Sequence, residues 1–165
     1  MTREMVIIGI GSNIDPEHHI TSALNYLRSH GLDLEVSPWY RSPAIGLPAG
    51  AEDFLNLAVR LRRPWPRSLG DLKQLLGEME VMHCRTRTLD GRWTSRTLDL
   101  DLLLAGDTIA PTLRLPHPDL VRYAHVAVPV ADLIGEHTHP ELGCAFTELA
   151  ARLDTTALRK VEAPT

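Results

Sequence analysis

From residue 98 the chain reads Leu98-Asp99-Leu100-Asp101-Leu102-Leu103-Leu104: carboxylate alternating with leucine, then leucine alone. A period of two is the signature of a β-strand with one buried face. It predicts Leu98, Leu100, Leu102 and Leu104 on one side and Asp99 and Asp101 on the other. With a rise of about 3.3 Å per residue, the two carboxylates stand roughly 6–7 Å apart. That pair suits a hard divalent cation shared between protein oxygens and phosphates, the usual setting of Mg²⁺. Arg92 and Arg96 lie just upstream, and guanidinium matches phosphate oxygens. Acid for a metal beside base for phosphates is what a nucleotide-handling site requires. On these residues alone, a solvated strand face beside an exposed basic loop is the competing account.

The 165 residues are 44% hydrophobic and 23% charged, which implies a globular chain with a real core. One domain over residues 1–165 is the expectation. A net charge of −4 argues against a nucleic-acid partner, which calls for a basic domain. Cys84 and Cys144 are too few for a disulfide framework. No apolar run approaches the roughly 20 residues of a membrane span. The start, Met1-Thr2-Arg3-Glu4-Met5, has no secretory apolar stretch. The expectation is a cytoplasmic, monomeric enzyme acting on small molecules.

Along the chain, Met5–Ile10 reads as a buried strand and Gly11-Ser12-Asn13 as the turn after it. Asp15-Pro16 opens a helix, with Asp as N-cap and Pro at the first position. Ile20, Leu24 and Leu27 keep helical spacing, and Gly31 closes the helix. Leu32, Leu34 and Val36 alternate as a second strand. The Pro and Gly content of Tyr40–Gly50 predicts a loop. Phe54–Leu61 alternates again, with Leu55, Leu57, Val59 and Leu61 on one face and Phe54 and Asn56 on the other. Leu69, Leu72, Leu76 and Met79 make Ser68–Met82 an amphipathic helix. A polar, Arg-rich connection, 83–96, leads into the Asp99/Asp101 strand. Further helices are expected over Asp119–Ile134 and Phe146–Leu153. The order β-α-β-β-α-β is the ferredoxin-like split unit, an α+β fold with helices packed on an antiparallel sheet.

Several strings together identify a family. They are Gly9-Ile10-Gly11-Ser12-Asn13, Tyr40-Arg41-Ser42-Pro43-Ala44-Ile45-Gly46, Phe54-Leu55-Asn56, Arg92-Trp93-Thr94-Ser95-Arg96-Thr97-Leu98-Asp99-Leu100-Asp101, and Pro116-His117-Pro118 with Pro129. In this order the chain resembles the 6-hydroxymethyl-7,8-dihydropterin pyrophosphokinases over about residues 6–135. The resemblance implies transfer of pyrophosphate from ATP to the hydroxymethyl group of the pterin, releasing AMP, in folate biosynthesis. It implies two Mg²⁺ ions on Asp99 and Asp101, and phosphate or loop-closing roles for Arg85, Arg92 and Arg96. Trp93 would order the same loop, His117 would touch the phosphates, and Glu80 and Leu102 fall at nucleotide-binding positions. Ser42, Pro43 and Ile45 would line the pterin pocket, with Phe54 stacking on the ring and Asn56 bonding its edge.

The chain also departs from that pattern. Cys84 replaces the usual Gly, and Thr94-Ser95 replaces Gly-Pro. Six residues past His117 stands Tyr123 where Arg is common, with Arg122 one place early. His125 stands where a Phe would stack on the pterin opposite Phe54. A core histidine is the competing account of His125, as an ordinary core aromatic is of Phe54. His137 and His139 read as turn structure rather than a metal pair, and His18 and His19 as surface helix positions. Two further functions remain open at this point. One is a paralogue acting on a modified pterin or another small alcohol. The other is a binding module for pterin and nucleotide with little catalysis.

Overall fold

In the computed structural model, which describes residues 5–43, 52–83 and 98–164, the apolar run near the N-terminus becomes the centre of a sheet. Strand β1 (Val6–Ser12) lies between β5 (Asp99–Ala105) and β4 (Phe54–Leu61), antiparallel to both. β4 continues to β3 (Trp39–Ser42), and β3 to the edge strand β6 (Arg159–Val161), so the order is β5-β1-β4-β3-β6. β2 (Leu34–Val36) also pairs with β4. β2 and β3 run along the same partner, interrupted at Ser37-Pro38. Val36 faces Val59 whereas Tyr40 faces Asn56, a slip of one residue. At the break Ser37 N–H donates to Ala58 O, and Ala58 N–H donates to the Ser37 hydroxyl, each at 2.9 Å. Proline cannot supply a ladder N–H, so a bulge takes its place.

α1 (Pro16–Ser29) and α2 (Leu69–Met82) cover one face of the sheet. They bury Ile20, Ala23, Leu24 and Leu27 from α1, and Leu72, Leu76 and Met79 from α2. These meet Leu55, Leu57, Val59 and Leu61 of β4 and Leu98, Leu100 and Leu102 of the β5 segment. α3 (Ala124–Ile134) and the short α4 (Phe146–Ala151) pack on the opposite face, around Ile7, Ala58, Leu103, Leu104, Val130 and Phe146. Ser68 caps α2 as its side chain accepts from Asp71 N–H at 3.1 Å. Among the described residues, no helix is long and apolar enough to cross a membrane.

Five expectations need correction. Gly11 and Ser12 belong to β1 rather than to the turn after it; Gly11 pairs with both Asp99 and Asn56, and Ser12 with Leu55. Tyr40-Arg41-Ser42 belongs to β3 rather than to a loop; pairing with both β4 and β6 outweighs the turn-forming residues that follow. Leu104 does not share a face with Leu100 and Leu102. The β1–β5 register slips between Ile7 and Ile8, opposite Leu102–Leu104, and the extra residue of this bulge sends both Leu103 and Leu104 to the α3 side. Asp15 holds the N-cap position of α1 with φ 43°, a left-handed backbone, and its side chain makes no cap bond. The helix expected over 119–134 is broken. A 3₁₀ turn, Pro118–Val121, precedes α3, and Tyr123 between them is extended. β6 escaped the sequence reading because three mostly exposed residues, Arg159-Lys160-Val161, carry no alternation signal.

Candidate active site

The α3 face of the sheet is only partly covered. α3 crosses β4 and β3, and beside it, towards β1 and β5, a cavity of about 490 Å³ stays open. Strand register sets its floor. Asp101 pairs with Gly9 and Gly9 with Ala58; Asp99 pairs with Gly11, Gly11 with Asn56, and Asn56 with Tyr40. Cross-strand partners share a face. The two carboxylates and the Asn56 amide therefore flank a strip of β1 that has no side chains. That strip is necessary to the cavity. A Cβ on Gly11 would stand 3.0 Å from Asn56 Oδ1, and one on Gly9 would stand 3.0 Å from the end of Leu103.

The carboxylate end is built against His117. Its backbone N–H donates to Leu103 O at 2.9 Å, which ties it to β5. Its ring is buried, with Nε2 3.8 Å from Asp101 Oδ1 and Nδ1 3.8 Å from Asp119 Oδ2. Nδ1 accepts from Asp119 N–H at 3.1 Å, so the proton of the neutral ring sits on Nε2 and faces Asp101. Burial pushes the His117 pKa down; Asp119 opposes this, and the Arg114 and Lys73 charges reinforce it. One donor atom each from Asp101, His117 and Asp119 fall within 4.8 Å of one another. With Nδ1 engaged by Asp119 N–H, His117 serves as an N–H donor, and the oxygens of Asp101 and Asp119 form a donor set for a divalent cation, with Asp99 on the same face two residues along β5. Hard oxygen donors beside an open, Cβ-free floor fit Mg²⁺ carrying a phosphate chain.

The other end is aromatic and amide-lined. Asn56 Nδ2 donates to Ser42 Oγ at 2.7 Å, which orients the amide. Phe54, Ser42 and Pro43 line this end with His125 and Tyr123. The rings of Tyr123 and His125 stack with centroids 5.2 Å apart and planes 21° off parallel. Burial holds the His125 pKa below the usual histidine range, against the opposing charges of Asp119 and Asp99. At the far end of α3 the Tyr40 hydroxyl donates to Asp132 Oδ2. Burial first, and that bond second, push the tyrosine pKa well above its ordinary value. This bond ties α3 to β3 and so sets where the α3 N-terminus meets the cavity.

Asp99, Asp101, Ser42, Pro43, Phe54, Asn56 and His125, singled out from the sequence, thus surround one cavity, with His117 against Asp101. Two expected nucleotide positions lie elsewhere. Glu80, near the end of α2, accepts from the edge-strand N–H of Leu100 at 3.1 Å, between the two aspartates. Leu102 is buried with Leu100 in the helix-facing core, because strand alternation turns its side chain from the cavity. Ile45, Arg85, Arg92, Trp93 and Arg96 lie outside the described residues. His137 and His139 do form turn structure: His139 Nδ1 accepts from Glu141 and Leu142 N–H, each at 3.2 Å. The sequence reading missed Asp119 and Arg114. Asp119 looked like a helix start, though its place two residues after His117 was a usable signal. Arg114 lines the cavity from a left-handed backbone with φ 55°, and nothing in its sequence neighbourhood marks it.

Comparison with known proteins places the chain in a family. Residues 7–135 match the family model described as 7,8-dihydro-6-hydroxymethylpterin-pyrophosphokinase (HPPK). A 2-amino-4-hydroxy-6-hydroxymethyldihydropteridine pyrophosphokinase of Synechocystis is 34% identical over 157 residues, covering 92% of this chain and 77% of that protein. The Pseudomonas aeruginosa protein of the same name is 34% identical over 153 residues, covering 90% and 91%. Among solved structures, Plasmodium falciparum HPPK-DHPS superposes with a TM-score of 0.68 at 10% identity. That alignment covers 95% of this chain but only 47% of the other, and carries the fold alone. The antiparallel sheet with packed helices is thus the fold of these enzymes, and the chain belongs to the 7,8-dihydro-6-hydroxymethylpterin-pyrophosphokinase family.

Proposed function

We propose that the chain transfers the pyrophosphoryl group of ATP to the hydroxymethyl oxygen of 6-hydroxymethyl-7,8-dihydropterin, releasing AMP. Membership of the family carries the ATP-dependent diphosphotransfer and its place in folate biosynthesis. The observation that carries the site assignment is the register that sets Asp99 and Asp101 beside Gly11 and Gly9, with His117 against Asp101. The pterin lies at the aromatic end, between Phe54 and His125. Ser42 holds the Asn56 amide so that Oδ1 can accept from the ring edge. The phosphate chain lies at the carboxylate end.

Asp99 and Asp101 would hold two Mg²⁺ ions, with the Asp119 carboxylate in reach of Asp101. Bound there, Mg²⁺ supplies charge neutralisation and alignment of the attacking and leaving oxygens. The protein's own share is positioning. Glu80 fixes the β5 backbone between the two carboxylates. His117 offers an Nε2–H to an anion at Asp101. Arg114 and Arg122 bring positive charge to the cavity wall. Arg85, Arg92 and Arg96, with Trp93, complete the phosphate contacts, and Ile45 joins Ser42 and Pro43 at the pterin. A nucleotide contact at Leu102 falls to its backbone on the edge strand. The enzyme works as a cytoplasmic monomer, and its 165 residues form one domain.

The test is incubation with MgATP and the pterin, followed by nucleotide separation. AMP without ADP is expected; tight pterin binding without AMP identifies a binding module instead. A specific observation keeps a second reading, a modified pterin as substrate. His125 puts an imidazole at the pterin end that donates and accepts hydrogen bonds where an ordinary Phe would not, and Tyr123 puts there a phenol, which can also accept, where Arg is common. Comparing kcat/KM for the parent pterin with that for analogues bearing an added polar group separates the two.

A further inference from the structure

Away from the cavity, three imidazoles meet where α1 begins and α2 ends. His19, in the first turn of α1, places Nδ1 2.7 Å from Nδ1 of His83, the residue that caps α2. Their ring centroids are 5.0 Å apart with planes at 79°, and His18 stands at the same centroid distance from His19. Both rings of the pair are half-buried, so solvent still reaches them. Among the described residues neither ring forms an ion pair.

We propose that His19 and His83 form a binding site for a late first-row divalent metal ion such as Zn²⁺, separate from the carboxylate site of the cavity. Two Nδ1 atoms that point at each other can share only a proton or a cation. Neutral imidazole nitrogen is a preferred ligand for Zn²⁺, Ni²⁺ and Cu²⁺, whereas Mg²⁺ prefers oxygen. At Zn–N distances of about 2.1 Å, a tetrahedral ion separates two ligand nitrogens by about 3.4 Å. The pair therefore opens by about 0.7 Å, within the reach of small side-chain rotations. The near-perpendicular rings let both lone pairs converge on one point from different sides. Burial and the neighbouring imidazoles keep both rings below the usual histidine pKa, so protons compete weakly near neutrality.

The location adds a second argument. The carbonyl end of a helix favours positive charge, yet the last turn of α2 has no basic residue. A divalent ion on His83 supplies that charge, and the C-terminal end of α2 offsets the opposite preference of the α1 N-terminus on the His19 side. Asp15, whose charge acts on His19, supplies a nearby anion, and water or His18 completes the coordination. Occupancy ties the start of α1 to the end of α2.

The test titrates Zn²⁺ by calorimetry into chelator-stripped protein, in excess Mg²⁺ so that the cavity carboxylates are already satisfied. The wild type is expected to bind one Zn²⁺ at least tenfold more tightly than His19→Ala or His83→Ala, with a smaller loss for His18→Ala. His19→Gln and His83→Gln preserve side-chain volume if an alanine variant folds poorly. Side-chain ¹⁵N spectra should show the Nδ1 signals of His19 and His83 moving on Zn²⁺ addition. Equal Zn²⁺ binding by wild type and the His19 and His83 variants overturns the proposal, as do shifts confined to His117. Neither readout depends on the pterin reaction, so failure here leaves the proposed function intact.

Discussion

On the face of the sheet covered by α1 and α2, β4 presents Leu55, Leu57, Val59 and Leu61, and the β5 segment presents Leu98, Leu100 and Leu102, all buried. On the opposite face the same strands present Asn56, Asp99 and Asp101, and β1 presents Gly9 and Gly11. One face is filled and apolar; the other is partly empty and charged. Burying each leucine is worth roughly 1.5–3 kcal/mol, which offsets an opposite face that gives up packing to keep a cavity. Stability and chemistry are thus assigned to alternate residues of single strands. The division predicts that substitutions two residues apart behave alike and neighbours behave differently.

The largest effect should come from removing a carboxylate. Asp99→Ala or Asp101→Ala is expected to lower AMP formation by about a thousandfold, since metal-borne charge stabilisation is worth several kcal/mol. The unfolding free energy should change by no more than about 1 kcal/mol. An Asp101→Ala enzyme releasing AMP at near wild-type rates would sink the two-metal assignment. The counterpart on the filled face is Leu72→Ala, at a fully buried position of α2. It should cost about 2–5 kcal/mol of stability while the folded fraction keeps its kcat. A denaturant melt and an active-site-normalised rate check both halves; a large kcat loss without destabilisation would break the comparison.

A smaller effect tests the empty strip. Gly11→Ala places a methyl 3.0 Å from Asn56 Oδ1, a polar atom held by the bond from Asn56 Nδ2 to Ser42 Oγ. The amide must shift, and pterin affinity should weaken about tenfold (~1.4 kcal/mol) with little change in nucleotide affinity. Equal weakening of both ligands would show that the strip serves the whole cavity rather than its pterin end.

The filled face was the more legible in the sequence, for a physical reason. Burial imposes period two on β4 and period 3.6 on α2, and those patterns are visible without any partner. Phe54–Leu61 and Leu69–Met82 lie where alternation and helical spacing put them. Irregular features depend on contacts between distant segments and leave little local trace. The bulge that diverts Leu104 exists only because β1 and β5 pair out of step. β3 is a strand because β4 and β6 flank it. In the site, the Asp99/Asp101 alternation and the Phe54/Asn56 face were local patterns and could be read. Asp119 joins His117 only through a turn that aims a backbone N–H at the ring. Arg114 reaches the cavity through one left-handed residue. Both depend on backbone conformation that composition does not encode.

The most delicate test concerns the wall where α3 meets the cavity. His125 stacks on Tyr123 and faces the space that Phe54 bounds. Burial lowers its pKa, so the ring is neutral in the folded protein at neutral pH, while the unfolded chain takes up its proton near the usual 6.5. Below that pH the unfolded state binds more protons than the folded one, so the His125 contribution to stability falls as pH falls. Pterin binding should follow the same sign. A neutral imidazole stacks on the ring, whereas closing the pocket over a cationic one adds a desolvation cost. Asp119 and Asp99, whose charges oppose the shift, soften this cost without reversing it. Pterin affinity, measured with a non-hydrolysable ATP analogue present, should therefore weaken on going from pH 7 to pH 5. His125→Phe should hold or improve affinity at pH 7 and lose the His125 share of the slope; protonation of the pterin and of His117 remains common to both proteins. Coincident curves would place His125 outside the bound complex. A loss of affinity in His125→Phe at every pH would instead mean that the imidazole makes a specific hydrogen bond, and would favour a pterin carrying the complementary polar group.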